Sequence, residues 1–181
     1  MYLSEFQTAG RTLAYGGLIS GASGNLSILL KERLIITRHG SVLSALTSTD
    51  LIETGIYADD CSTPLASWEL PVHRAIYIGT PARAVVHAHP PSAVTLSLVE
   101  KKLELPSKVA IVGTNADIVA GVLADEIACE LKKHPLVMVK GHGSFAIGKT
   151  LEEACALTIK FEEDCTRLCR QRAIPILKTS E

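Results

Sequence analysis

Two histidines separated by one residue, in Val86-His87-Ala88-His89-Pro90, are the first groups in this chain whose spacing suggests chemistry. The run Ala84–His89 is apolar and is stopped by Pro90-Pro91, so it reads as a strand. Side chains alternate across a strand, which puts His87 and His89 on one face, where two imidazoles can chelate one metal ion. Taken alone, the pair is equally two hydrogen-bonded polar residues at a strand end. His142 strengthens the metal reading. It lies in Lys140-Gly141-His142-Gly143-Ser144, directly after the apolar run Leu136–Val139, and its flanking glycines permit a sharp turn and close backbone approach. Three imidazoles would leave a zinc ion one open coordination position, the pattern of a catalytic rather than a structural site.

Glu69 and His73 are four residues apart at the start of a predicted helix, Ser67–Ile78, and therefore share a face. Glu69 reads as a general base or transient metal ligand, or as a surface carboxylate favoured by the helix dipole. His73 reads as a structural residue. His134, in Lys132-Lys133-His134-Pro135, reads as an ordinary loop residue.

The elements that must position these groups alternate between helix and strand. The pattern predicts a helix over 3–19, a strand pair at Leu26–Leu30 and Arg33–Thr37, and a further strand at Leu51–Tyr57. After Ala84–His89 come a helix at Ser92–Val99, a strand at Val109–Val112 and a helix from Thr114 to Lys133. Strands at Leu136–Val139 and Phe145–Ile147 precede a last helix capped by Thr150 and running to about Arg172. Helices interleaved with hairpins imply an α/β layered domain with a mixed or antiparallel sheet. With 181 residues and no linker or repeat, the chain reads as a single domain, 1–181.

The balance of 18 Lys and Arg against 19 Asp and Glu leaves a net charge of −1, which argues against a nucleic-acid partner. It leaves room for a small anionic substrate in a locally basic pocket. No stretch reaches the ~18–20 apolar residues of a membrane span, and the N-terminus lacks a signal-peptide pattern, so the expected location is cytoplasmic. The five cysteines, odd in number and without a C-x-x-C pair, read as reduced, buried thiols.

Together, Gly24-Asn25-Leu26-Ser27, Ile36-Thr37-Arg38-His39-Gly40, Ser67-Trp68-Glu69-Leu70-Pro71-Val72-His73, Val85-Val86-His87-Ala88-His89 and Gly141-His142-Gly143 resemble the class II aldolase/adducin family. Their order and spacing fit nearly the whole chain, closest to the short, L-fuculose-1-phosphate aldolase-like members. The resemblance implies an α/β/α sandwich around a mostly antiparallel mixed sheet, assembled as a homotetramer with active sites at subunit interfaces. It implies one zinc ion per subunit held by His87, His89 and His142, with Glu69 as the acid/base residue. Carried over by position, the family's phosphate site falls on Asn25, Gly40 and Ser67, with Thr37 nearby.

Two positions depart from the family pattern. His39 stands where a small hydroxyl residue usually precedes the glycine, and Trp68 stands where the fuculose enzyme has a second serine. Both fall in the phosphate pocket, where His39 can still donate a hydrogen bond to a phosphate. The activity implied is reversible cleavage of a short ketose phosphate into dihydroxyacetone phosphate and an aldehyde. The same metal site also suits a methylthioribulose-1-phosphate-type dehydratase, an epimerase or a decarboxylase. A non-catalytic adducin-like interaction domain is the remaining alternative, one expected to lack the metal histidines.

Overall fold

A strand buried on both faces organises the structure. The computed structural model describes residues 2–100, 109–119 and 122–173. Every residue of β4 (Ala84–Ala88) is buried. Ala84, Val86 and Ala88 enter the core on one face, and Val85 enters the core on the other. Small and β-branched side chains suit such a strand, which must pack helices on both sides.

β4 pairs antiparallel with β1 (Asn25–Leu29) on one side and with β7 (Gly143–Gly148) on the other. Beyond β1 lie β2 (Arg33–Thr37) and then β3 (Leu51–Gly55), both antiparallel to their neighbours. Beyond β7 lie β6 (Leu136–Lys140), antiparallel, and β5 (Ala110–Thr114), which pairs parallel with β6. The result is a seven-stranded mixed sheet in the order β3-β2-β1-β4-β7-β6-β5.

Helices cover both faces. Phe6 and Leu13 of α1 (Leu3–Tyr15), Leu96 of α3 (Pro91–Val99) and Phe161 of α6 (Leu151–Ala173) share one core. Leu70 and Ile76 of α2 (Leu70–Gly79), Ile118 of α4 (Asn115–Val119) and Ile127 of α5 (Ala124–Leu131) share the other. The expected α/β/α sandwich is therefore the observed architecture. Among the described residues, no helix is long and apolar enough to cross a membrane.

Boundaries differ from the sequence pattern where local chemistry overrides periodicity. The first helix ends at Tyr15 rather than near residue 19, because Gly17 turns the chain with φ +67°. The second begins at Leu70, with the Ser67 hydroxyl accepting the Glu69 N–H at 3.3 Å. The third strand ends at Gly55, two residues short of Tyr57. The predicted 114–133 helix is two helices, with residues 120 and 121 of that stretch outside those described. Among the cysteines, Cys155 and Cys165 are buried, whereas Cys61 and Cys129 are exposed.

Phe6 is fully buried between α1 and the sheet. Phe6→Ala should lower stability by about 3–5 kcal/mol, because the cavity it leaves adds to the lost transfer energy. Chemical denaturation of both proteins reads this difference directly.

Candidate active site

Strand register brings the three histidines together. In the β4–β7 pairing, His87 lies opposite Phe145 and Ala88 opposite Ser144. One step further, His89 meets the β6–β7 turn that carries His142, whose N–H donates to the Val139 carbonyl at 3.0 Å. Gly143 makes this approach possible. A Cβ there would lie 2.5 Å from the Ala88 carbonyl oxygen and 2.6 Å from His89 Cδ2. Gly24 does the same on the β1 side, with φ +76° and the His87 carbonyl 2.7 Å from a would-be Cβ.

One ligand atom from each of His87, His89 and His142 falls within 4.8 Å of the others. The His87 and His142 rings are stacked with centroids 4.9 Å apart, and the His89 ring stands 4.8 Å from that of His87. Phe145 stacks on His87 from beneath at 4.2 Å. His87 Nδ1–H donates to the Ser144 carbonyl at 3.0 Å, which fixes the tautomer and leaves a lone pair on Nε2. That lone pair faces His89 Nε2 at 2.9 Å and Glu69 Oε2 at 3.2 Å. A lone pair aimed at a carboxylate is a donor set suited to a cation. Burial pushes His87 down to about 3 and lowers His89 as well, so both rings are neutral at neutral pH, the form that ligates metal.

Glu69 occupies the N-cap position of α2. Its Oε2 accepts from Asn25 Nδ2 at 2.6 Å, and its Oε1 accepts from His142 Nε2 at 3.0 Å. Burial alone would raise its pKa. His87, His142 and the Asn25 amide outweigh that and hold it well below the usual carboxylate range. Glu69 is therefore ionised beside three imidazoles.

These groups line a cavity of about 300 Å³ that also contains Gly40, Ser67, His39 and Trp68. The two residues that depart from the family pattern touch each other. The His39 and Trp68 rings stack with centroids 3.8 Å apart at 12°, and Trp68 is 80% exposed. Thr37 is not in the cavity lining. It is buried, its hydroxyl accepts the Leu26 N–H at 3.2 Å, and its carbonyl accepts the Ser67 N–H at 3.1 Å. It ties β1 and the segment before α2 to β2. Arg38, which the sequence reading did not single out, does line the cavity. Its signal was its place between Thr37 and His39. His134 lies outside the cavity lining.

An α/β/α sandwich that gathers a histidine cluster and one carboxylate at the end of its central strands presents a donor set suited to a divalent metal ion. The chain belongs to the class II aldolase and adducin N-terminal domain family, whose model matches residues 4–169. It is similar to the crystal structure of L-fuculose-1-phosphate aldolase from Thermus thermophilus. There the TM-score is 0.88 at 32% identity, covering 97% of this chain and 98% of that one. It is 30% identical over 165 residues to the 5-methylthioribulose-1-phosphate/5-deoxyribulose-1-phosphate aldolase of Rhodospirillum rubrum, covering 86% of this chain and 74% of that protein. It is also 30% identical over 179 residues to a methylthioribulose-1-phosphate dehydratase of Bradyrhizobium sp., covering 81% of this chain and 80% of that protein. The relatives are lyases named for small phosphorylated sugars.

Removing one imidazole should weaken divalent-metal binding by more than the ~10–100-fold typical of losing a supporting partner. His89→Ala, measured by metal titration against a chelator, checks this. Gly143→Ala should cost about 1–3 kcal/mol in thermal unfolding and weaken metal binding too, because the added Cβ must push β4 away.

Proposed function

We propose that this protein is a zinc-dependent class II aldolase. It reversibly cleaves a short ketose 1-phosphate, of the L-fuculose or 5-deoxypentulose type, into dihydroxyacetone phosphate and an aldehyde. The observation that carries this reading is the convergence of His87, His89 and His142 with an ionised Glu69 in one cavity.

His87, His89 and His142 would hold the zinc. When bound, it supplies Lewis-acid stabilisation of negative charge on the substrate oxygens beside the breaking carbon–carbon bond. Glu69 moves the proton. In the condensation direction it takes a proton from the carbon next to the carbonyl of dihydroxyacetone phosphate, and the aldehyde oxygen takes one from solvent as it becomes the new hydroxyl; in the cleavage direction the hydroxyl proton leaves to solvent and Glu69 protonates the carbon. No Schiff-base lysine is required. The phosphate sits against Asn25, Gly40 and Ser67, with His39 and Arg38 at the same wall. Binding energy from that unreactive end positions the reacting carbon. Assembly as a homotetramer, with each site at a subunit interface, belongs to the same reading. Exposed Trp68, Leu65 and Val42 are apolar surface such an assembly would cover.

The similarity to a methylthioribulose-1-phosphate dehydratase favours a second reading, in which the same site expels water instead of breaking a carbon–carbon bond. An epimerase or decarboxylase would also use this donor set. The intact histidine triad weighs against a purely structural, adducin-like role.

Zinc-loaded protein incubated with a panel of ketose 1-phosphates should release dihydroxyacetone phosphate. Loss of water or carbon dioxide without it would reject the aldolase. Glu69→Gln should bind stoichiometric zinc yet lower kcat by roughly 10²–10⁴-fold. Full turnover in that variant would remove Glu69 from the chemistry.

A further inference from the structure

Behind Glu69, a chain of four hydrogen bonds runs into the interior. Asn25 Nδ2 meets Glu69 Oε2 at 2.6 Å, and His73 Nε2 meets Asn25 Oδ1 at 2.6 Å. Ser27 Oγ meets His73 Nδ1 at 2.6 Å, and Tyr77 OH meets Ser27 Oγ at 2.7 Å. His73 and Ser27 are fully buried, and Asn25 and Tyr77 nearly so.

The chain exists because two periodicities match. Glu69, His73 and Tyr77 recur every four residues on α2, a rise of about 6 Å. Asn25 and Ser27 recur every two residues on β1, a rise of roughly 6.6–6.8 Å. Side chains from helix and strand therefore interleave without drifting apart.

The direction of every bond is forced by chemistry. A carboxylate oxygen only accepts, so Asn25 must turn its NH₂ toward Glu69. The amide oxygen then faces His73 and also only accepts, so His73 Nε2 must carry the hydrogen. Burial pushes His73 down to about 4, so the ring is neutral at pH 7 and has one N–H only. Its Nδ1 is thus bare and takes the Ser27 hydroxyl hydrogen. Ser27 Oγ in turn accepts from Tyr77.

We propose that His73 is a positioning residue that acts through Asn25. By holding the amide oxygen, it fixes which way the Asn25 NH₂ points. One N–H is then committed to Glu69, and the other, rather than the carbonyl, is left for an anionic substrate in the cavity. Without His73 the amide can flip, turning an acceptor toward the carboxylate and releasing Glu69 from its orientation. The positioning role rests on Glu69 being the proton carrier proposed above, whereas the hydrogen-bond directions do not.

The test has two arms. Nitrogen-15 NMR of histidine-labelled, zinc-loaded protein at pH 7 should show His73 as the Nε2–H tautomer, assigned by its loss in His73→Gln. In steady-state kinetics on the cleaved ketose 1-phosphate, His73→Phe should keep stoichiometric zinc while kcat falls ~10–100-fold, as for other supporting partners, and KM rises about tenfold, because the flipped amide turns its carbonyl toward the anionic substrate. His73→Gln, whose amide can donate to Asn25, should regain most of that loss. An Nδ1–H tautomer in the wild type overturns the proposal, and this measurement stands even if His73→Phe does not fold. A wild-type kcat in folded His73→Phe, beside an inactive Glu69→Gln, overturns it as well. Turnover retained in Glu69→Gln instead removes the acid/base reading and leaves the tautomer to decide the wiring.

Discussion

The pairing of β4 with β7 is the constraint on which the site depends. Antiparallel register sets His87 opposite Phe145, and this alone decides that the turn holding His142 ends beside His89. A slip of one residue would turn every side chain of β4 to the opposite face and point His87 into the other core. Gly143 lets the two backbones close, and the Ser144 carbonyl then orients the His87 ring. Sheet geometry and ligand geometry are therefore one arrangement. The site inherits its rigidity from a strand that is buried on both faces.

Charge follows from that placement. An ionised carboxylate in a half-enclosed cavity needs partners, and Glu69 takes them from two directions, Asn25 and His142. The neutral His87 and His89 rings beside a single carboxylate would leave a bound divalent ion most of its positive charge. As candidate metal donors, those two rings would add no charge of their own.

Much of this is legible in the sequence. The H-x-H pair and the Gly-His-Gly turn each follow an apolar strand, so their meeting at one end of the sheet can be read from pattern. Strand order cannot. Asn25 reaches Glu69 because β1 inserts between β2 and β4, and that pairing joins residues far apart in the chain. The family resemblance puts Thr37 near the phosphate. Yet alternation along β2 sets it with Ile35, away from the face that carries Leu34 and Ile36. His73 reads as structural because a histidine four residues after a glutamate looks the same in sequence whether or not a strand faces it. Only the opposing Ser27 and Asn25 give it direction.

The stacked rings of His39 and Trp68 carry a consequence for how such a pocket changes over time. Each ring covers a face of the other, so neither position is independent. Replacing the indole alone strips the imidazole of its neighbour, and replacing the imidazole alone bares more of an indole that is already largely in solvent. Exchanging this wall for one built from hydroxyls would therefore change both residues together. Any divergence at that wall would therefore be gated by coupling between the two loops that carry these rings.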